Sequence, residues 1–139
     1  MEQTNIQYQS EFLPNVTIVT VFDDDKNYHE LEKYFKIYGY GFMVPNKNLV
    51  IIDGEKILEL DGEGVLKFIE AHEISHVLLN HSGPRSEEEE LDADLGAYIL
   101  LKKNGYEDSI KILLDNFEDR HGIEFSEDLV NKFSKNVDF

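Results

Sequence analysis

The sequence predicts an α+β fold: a small, mostly antiparallel sheet at the N-terminal side, packed on a central apolar helix and followed by further helices. Three observations carry this. Runs rich in β-branched residues, such as Val16 to Phe22 and Leu49 to Ile52, fall within the first 60 residues. From about residue 62 onward the apolar residues follow helical spacing, with Leu66, Ile69, Ile74, Val77 and Leu78 on a 3.6-residue period. Capping signals and glycines then divide the remainder into helix-length pieces. The 139 residues suit a single domain spanning 1–139.

Taken in order, residues 1–14 are polar and predict an irregular or extended lead-in. Val16 to Phe22 is a strand and Asp23-Asp24-Asp25 a turn. Asn27 with Glu30 resembles a capping box, and Leu31, Tyr34, Phe35 and Tyr38 continue at helical spacing up to Gly39. Two strands follow, 40–44 and 48–53, with Pro45-Asn46-Lys47 turning between them. The continuous apolar run Leu49 to Ile52 predicts a strand covered on both faces. Asp53-Gly54 predicts a turn into a third strand over 56–60. Asp61-Gly62 then introduces a helix over about 62–80, closed by Gly83-Pro84. Ser86 and Glu89 form a capping box opening a helix over about 87–103, which ends at Gly105. Further helices are predicted over about 107–120, started by Glu107 or Asp108, and 127–135, started by Ser126.

A chain of this size buries about two-thirds of its unfolded surface, so it needs neither disulfide nor metal merely to fold. It has no cysteine, which excludes thiolate metal sites and a cysteine nucleophile and fits a reducing compartment. The formal charge of −16 repels nucleic acid and anionic lipid. The N-terminal residues lack the basic and apolar regions of a signal peptide, and no apolar run has the length of a membrane span. The expected setting is soluble and cytoplasmic, without nucleic-acid or membrane partners.

The chemistry is concentrated in His72-Glu73-Ile74-Ser75-His76, an H-E-x-x-H pattern within the apolar helix. His72 and His76 are one helical turn apart and share a face, so both imidazoles can reach one metal ion. Glu73 lies about 100° round the axis, beside a metal-bound water but outside the coordination shell. Zinc hydrolysis needs this division: two neutral nitrogen ligands, a third ligand, an open position and a general base. The third ligand must come from elsewhere. On the helix opened by Ser86, Glu87, Glu90 and Asp94 form one stripe, while Glu88, Glu89 and Asp92 point away. Acidic residues in a first helical turn are also favoured by the helix dipole, so spacing alone leaves the ligand open.

The pair His72-Glu73-x-x-His76 and Glu90-x-x-Ala93-Asp94 resembles the gluzincin metallopeptidases. The stretch from Glu90 to Tyr106 looks most like soluble relatives of the heat-shock membrane protease and the CaaX prenyl protease. The layout also resembles the minigluzincins and the ImmA/IrrE-like peptidases. The likeness covers residues 66–106 well and 26–60 loosely; residues 107–139 match nothing named. It implies a zinc metalloendopeptidase acting on a protein or peptide substrate. Zn2+ would be held by His72, His76 and Glu90, with Glu73 as general base and Asp94 accepting the free ring N–H of a ligating histidine. The membrane spans of the larger relatives are missing.

A donor for the developing oxyanion is also expected, with Tyr98, Tyr106, Arg85 and His121 as candidates. The metzincin pattern fails, because Leu79 and Ser82 stand where glycine and histidine would be required. His81 is read as a residue favoured at a helix C-terminus, or as the fourth ligand of a closed site. That closed site belongs to the alternative reading, a catalytically silent zinc-binding or protein-interaction domain. The substrate-binding edge would be the strand over 40–44 or the one over 48–53.

Overall fold

A computed structural model describes residues 5–44, 46–59, 64–81 and 85–139. The chain forms two compact units, Met1–Asp61 and Gly62–Phe139. The class is α+β, with four strands and six helices among the described residues. None of those helices is long and apolar enough to cross a membrane.

In the first unit, β1 (Asn5–Gln9), β2 (Thr17–Val21), β3 (Gly41–Val44) and β4 (Leu49–Asp53) form one sheet in the order β1-β2-β4-β3. It is mixed rather than mostly antiparallel. β1 pairs antiparallel with β2 and β3 with β4, but β2 and β4 run parallel, Ile18 opposite Val50. Parallel neighbours need a crossover connection. Helix α1 (Tyr28–Tyr38) supplies it before the β3–β4 hairpin. The lead-in contains an ordered strand, β1. β4 is interior, so of the two strands considered as a binding edge only β3 lies at an edge.

The apolar alternation explains the layers. Val50 and Ile52 are fully buried on one face of β4. On the other face Ile51 and Val19 pack against a cluster of Val21, Tyr28, Phe35 and Phe42, which fixes α1. Residues Asn46 and Asn48 turn the hairpin with positive φ, the left-handed region asparagine tolerates best after glycine. Pro45 lies outside the described residues.

Two local expectations are corrected here. Asn27 makes no side-chain cap; Asp25 accepts the Asn27 N–H instead, at 2.8 Å. The stretch predicted as a third strand over 56–60 is helix α2 (Gly54–Glu59), and Leu60 lies outside the described residues. The physical reason is Asp53, whose carboxylate accepts the Glu55 N–H at 3.0 Å, as an N-cap does. Glycine is required at position 54, because a Cβ there would stand 2.6 Å from the Phe22 ring and 2.7 Å from the Val21 carbonyl oxygen.

In the second unit, α3 (Val65–Leu78) carries the H-E-x-x-H motif. Every residue from Phe68 to His76 is buried, so the helix is covered on all sides and its polar residues need partners within the unit. α4 (Glu87–Asn104) begins with the predicted capping box: Glu89 N–H donates to Ser86 Oγ at 3.1 Å and Ser86 N–H to Glu89 Oε1 at 3.2 Å. It ends at Gly105, φ 76°. α5 (Glu107–His121) and α6 (Glu127–Ser134) follow, the latter capped by Ser126 as predicted. Gly96 lets α3 and α4 approach closely, since a Cβ on it would meet Ser75 Oγ at 2.7 Å and the Phe139 ring at 2.5 Å.

The predicted signals flanking α3 at Asp61-Gly62 and Gly83-Pro84 lie outside the described residues. α3 stops earlier than predicted. Asn80 takes φ 59°, its N–H donates to the Val77 carbonyl at 3.1 Å, and the His81 N–H donates to the His76 carbonyl at 3.0 Å. This is a Schellman motif, with asparagine in the place glycine usually holds.

In the first unit, the Tyr28 hydroxyl donates to the buried Asp53 carboxylate at 2.9 Å. Tyr28→Phe removes that donor while keeping the ring. It should destabilise the fold by about 1–3 kcal/mol, read as a lower denaturant midpoint. An unchanged midpoint would show that the bond contributes nothing net.

Candidate metal centre

Three side chains converge in the second unit. His72 and His76 project from one face of α3, and their Nε2 atoms stand 3.2 Å apart. Glu90, in the first turn of α4, places Oε1 3.0 Å from His76 Nε2 and Oε2 3.3 Å from His72 Nε2. Zinc with ligand bonds of about 2.0–2.1 Å in a tetrahedron has ligand atoms about 3.3 Å apart. The observed separations, those from Glu90 being to its two different oxygens, are close to that edge length.

The donor chemistry fits as well. His72 Nδ1 donates to Asp94 Oδ1 at 2.8 Å, so its Nε2 is the nitrogen left for the centre. Two imidazole lone pairs at 3.2 Å repel each other unless a proton or a cation lies between them. His72, Glu73 and His76 form a buried group able to hold a metal ion. Glu73 Oε2 is 3.9 Å from His72 Nε2, farther than either Glu90 oxygen from its nearer histidine nitrogen. It is buried without a hydrogen-bond partner among the described residues. Glu90 is therefore better placed than Glu73 to serve as a third donor, and Glu73 Oε2 lies beside the group.

Asp94 does more than orient His72. Fully buried, it also accepts from Arg120 Nη1, at 2.9 Å on Oδ1 and 2.7 Å on Oδ2, and from His121 Nε2 at 2.6 Å. Arg120 lies 3.7 Å from Glu90 Oε2 as well and covers the Phe68 ring at 5.5 Å. Beside Glu90 opens a cleft of about 730 Å³, lined among others by Arg85, Leu91, Arg120, His121 and Ile123.

The charges are set by these contacts. Burial alone would lower the pKa of His72, but its bonds to Asp94 and Glu90 outweigh that and raise it to about 9. Burial raises Glu73 to about 8. Burial also lowers His76 to about 4, against the pull of Glu90. Burial opposes ionisation of Glu90, yet its bonds to His72 and His76 hold it well below the usual carboxylate range. Asp94 is held low in the same way by His121 and His72. A pocket that grips a proton between two carboxylates and a second imidazole has the field a cation requires.

His72, Glu73, His76, Glu90 and Asp94 are thus brought together as the sequence predicted. His121 joins them through Asp94, and Arg85 lines the cleft. Tyr98 does not join. It lies eight residues beyond Glu90, about 80° round α4, and its hydroxyl donates to Glu127 at 2.8 Å and accepts from Lys102 at 3.2 Å. Tyr106 lies under Lys67, at the N-terminal end of α3. Arg120 was missed, for its only sequence signal is its place before His121 at the end of a helix. No known protein family, curated protein or solved structure matches this chain.

Zinc titration against a chromophoric chelator separates the acidic residues of α4. Glu90→Gln should remove most of the affinity, Asp94→Asn should cost about 10–100-fold, and Glu89→Gln should leave it unchanged. If Glu90→Gln bound zinc like the wild type, the third ligand would lie elsewhere.

The pH dependence should reverse on loading. In chelated protein His72 has a folded pKa of about 9 against an ordinary 6.5. The folded form therefore holds the extra proton, and stability falls as pH rises from 6.5 to 9. Glu73, raised to about 8, acts in the same direction. Zinc affinity should rise over that window, because the ligands must give up protons to bind. Melting temperatures across pH, with chelator and with zinc, check both slopes; parallel slopes would contradict the assignment.

Proposed function

We propose that this protein is a zinc-dependent peptidase of the gluzincin type, with His72, His76 and Glu90 as ligands and Glu73 as general base. The observation that carries the reading is geometric. His72 Nε2 and His76 Nε2 stand 3.2 Å apart, and Glu90 Oε2 and Oε1 lie 3.3 and 3.0 Å from them respectively. Beside them lies a buried Glu73 oxygen without a hydrogen-bond partner among the described residues. A structural site has no use for such a carboxylate. The cysteine-free sequence motivates a cytoplasmic setting.

Zinc bound there supplies a Lewis acid that polarises a carbonyl and acidifies water. The protein's own groups do the rest. His72 and His76 offer neutral nitrogens, and Asp94 holds the first in its tautomer. Glu73 takes a proton from water and returns it to the leaving amine. Burial raises the Glu73 pKa, which makes its ionised form a stronger base. The cleft beside Glu90 gives a peptide room to lie. His81 is no fourth ligand: its Nδ1 meets His76 Nδ1, on the side of that ring turned from the centre. A metal held by His72, His76 and Glu90 would keep a position for water, with His81 not among its donors.

The test is Glu73→Gln, with zinc content and peptide-library cleavage measured on both forms. The variant should keep its zinc and fold and lose at least about 100-fold in turnover. Retained wild-type cleavage would remove Glu73 as the base. A wild type that binds zinc and cleaves nothing would point instead to a silent metal-binding or interaction domain.

A further inference from the structure

We infer that His81 is a positioning residue, whose ring accepts a hydrogen bond from His76 Nδ1 and so holds His76 with Nε2 turned to the metal centre. The inference rests on the metal-binding reading of His72, His76 and Glu90.

Two independent contacts bring His81 to His76. The Schellman turn at Asn80 ties the His81 N–H to the His76 carbonyl at 3.0 Å. The rings then meet edge to face, centroids 5.0 Å apart, with Nδ1 to Nδ1 at 2.7 Å. A neutral imidazole carries one proton, so one nitrogen donates and the other accepts. A nitrogen that gives its lone pair to a cation must be the bare one. His76 Nε2 is that nitrogen, 3.2 Å from His72 Nε2 and 3.0 Å from Glu90 Oε1. Its proton is therefore on Nδ1, and Nδ1 needs an acceptor. His81 Nδ1 is at hydrogen-bond distance to serve, with its own proton on Nε2.

The two metal histidines thus have different supports. His72 leans on a carboxylate and His76 on a neutral ring. The difference has an electrostatic reason. Glu73, Glu90 and Asp94 already surround the centre, and a fourth carboxylate there would be costly to bury. An imidazole supplies the same acceptor without another negative charge.

Asparagine decides the test, because its Oδ1 can occupy the place of the histidine Nδ1. Zinc affinity is measured for wild type, His81→Leu, His81→Asn and His81→Gln by competition with a chromophoric chelator. Nitrogen-15 shifts of the imidazole rings are recorded in the zinc-loaded forms. His81→Leu should bind zinc about 10–100-fold more weakly, and His81→Asn should restore most of that loss. In zinc-loaded wild type, His76 should carry its proton on Nδ1. Equal affinity of His81→Leu and wild type would overturn the inference and leave the metal site standing. Equal loss in the Leu and Asn variants would also overturn it, because it would mean packing. A proton found on His76 Nε2 in loaded protein would do the same. Should His81→Leu not fold, the comparison passes to His81→Gln, whose oxygen lies one bond too far; binding equal to His81→Asn would sink the idea. A wild type without zinc affinity would instead overturn the metal-binding reading itself.

Discussion

The buried carboxylate of Asp94 is the interaction on which the second unit depends. A charge taken fully out of water costs several kcal/mol unless its lone pairs are met. Asp94 meets them with three donors from two other helices: His72 on α3, and Arg120 and His121 on α5. One side chain of α4 thus fixes the mutual register of three helices. The same bonds turn His72 Nε2 towards Glu90. Fold and site therefore share one anchor, and the site is preorganised because the helices cannot slide without stripping that charge.

The electrostatics of this region run against those of the chain. The sequence is strongly acidic, at −16, yet the surroundings of Asp94 gather Arg120, His72 and His121, with Arg85 lining the neighbouring cleft. That balance lets Glu90 and Asp94 stay ionised while buried or half-buried. Glu73 is the exception. Its Oε2 has no hydrogen-bond partner among the described residues, and burial pushes its pKa upward. One pocket therefore holds two carboxylates kept charged by partners and one kept basic by isolation, and this separation of roles is what acid–base chemistry requires.

Much of this was legible because the signals were local. The H-E-x-x-H spacing, the Ser86–Glu89 capping box and Gly105 act within one or two turns, so sequence distance measures them directly. The stripe of Glu90 and Asp94 was legible for the same reason, whereas the turning of Tyr98 to Glu127 and Lys102 was not. What was not legible needed a partner far along the chain, or a choice between close local alternatives. Arg120 matters only because α5 returns to Asp94 across 26 residues. The parallel pairing of β2 with β4 depends on how α1 crosses the sheet. Residues 56–60 were misread because a five-residue apolar pattern cannot outweigh one well-placed cap at Asp53. His81 was read by its position at a helix end or as a fourth ligand, whereas its contact with His76 follows from the left-handed turn at Asn80.

Gly96 has a bearing on the site although it lies two residues past Asp94 and touches none of the ligands. Its bare backbone is the spacer that sets how closely α3 and α4 can lie, with Ser75 Oγ where a methyl group would go. Glu90 on α4 faces His72 and His76 on α3 across gaps of 3.3 and 3.0 Å. A wedge at position 96 would widen the gap like a shim under one jaw of a clamp. The spacing of the two helices that carry these donor atoms is thus partly set at a position with no lone pair to offer, by the thickness of the joint rather than the chemistry of its teeth.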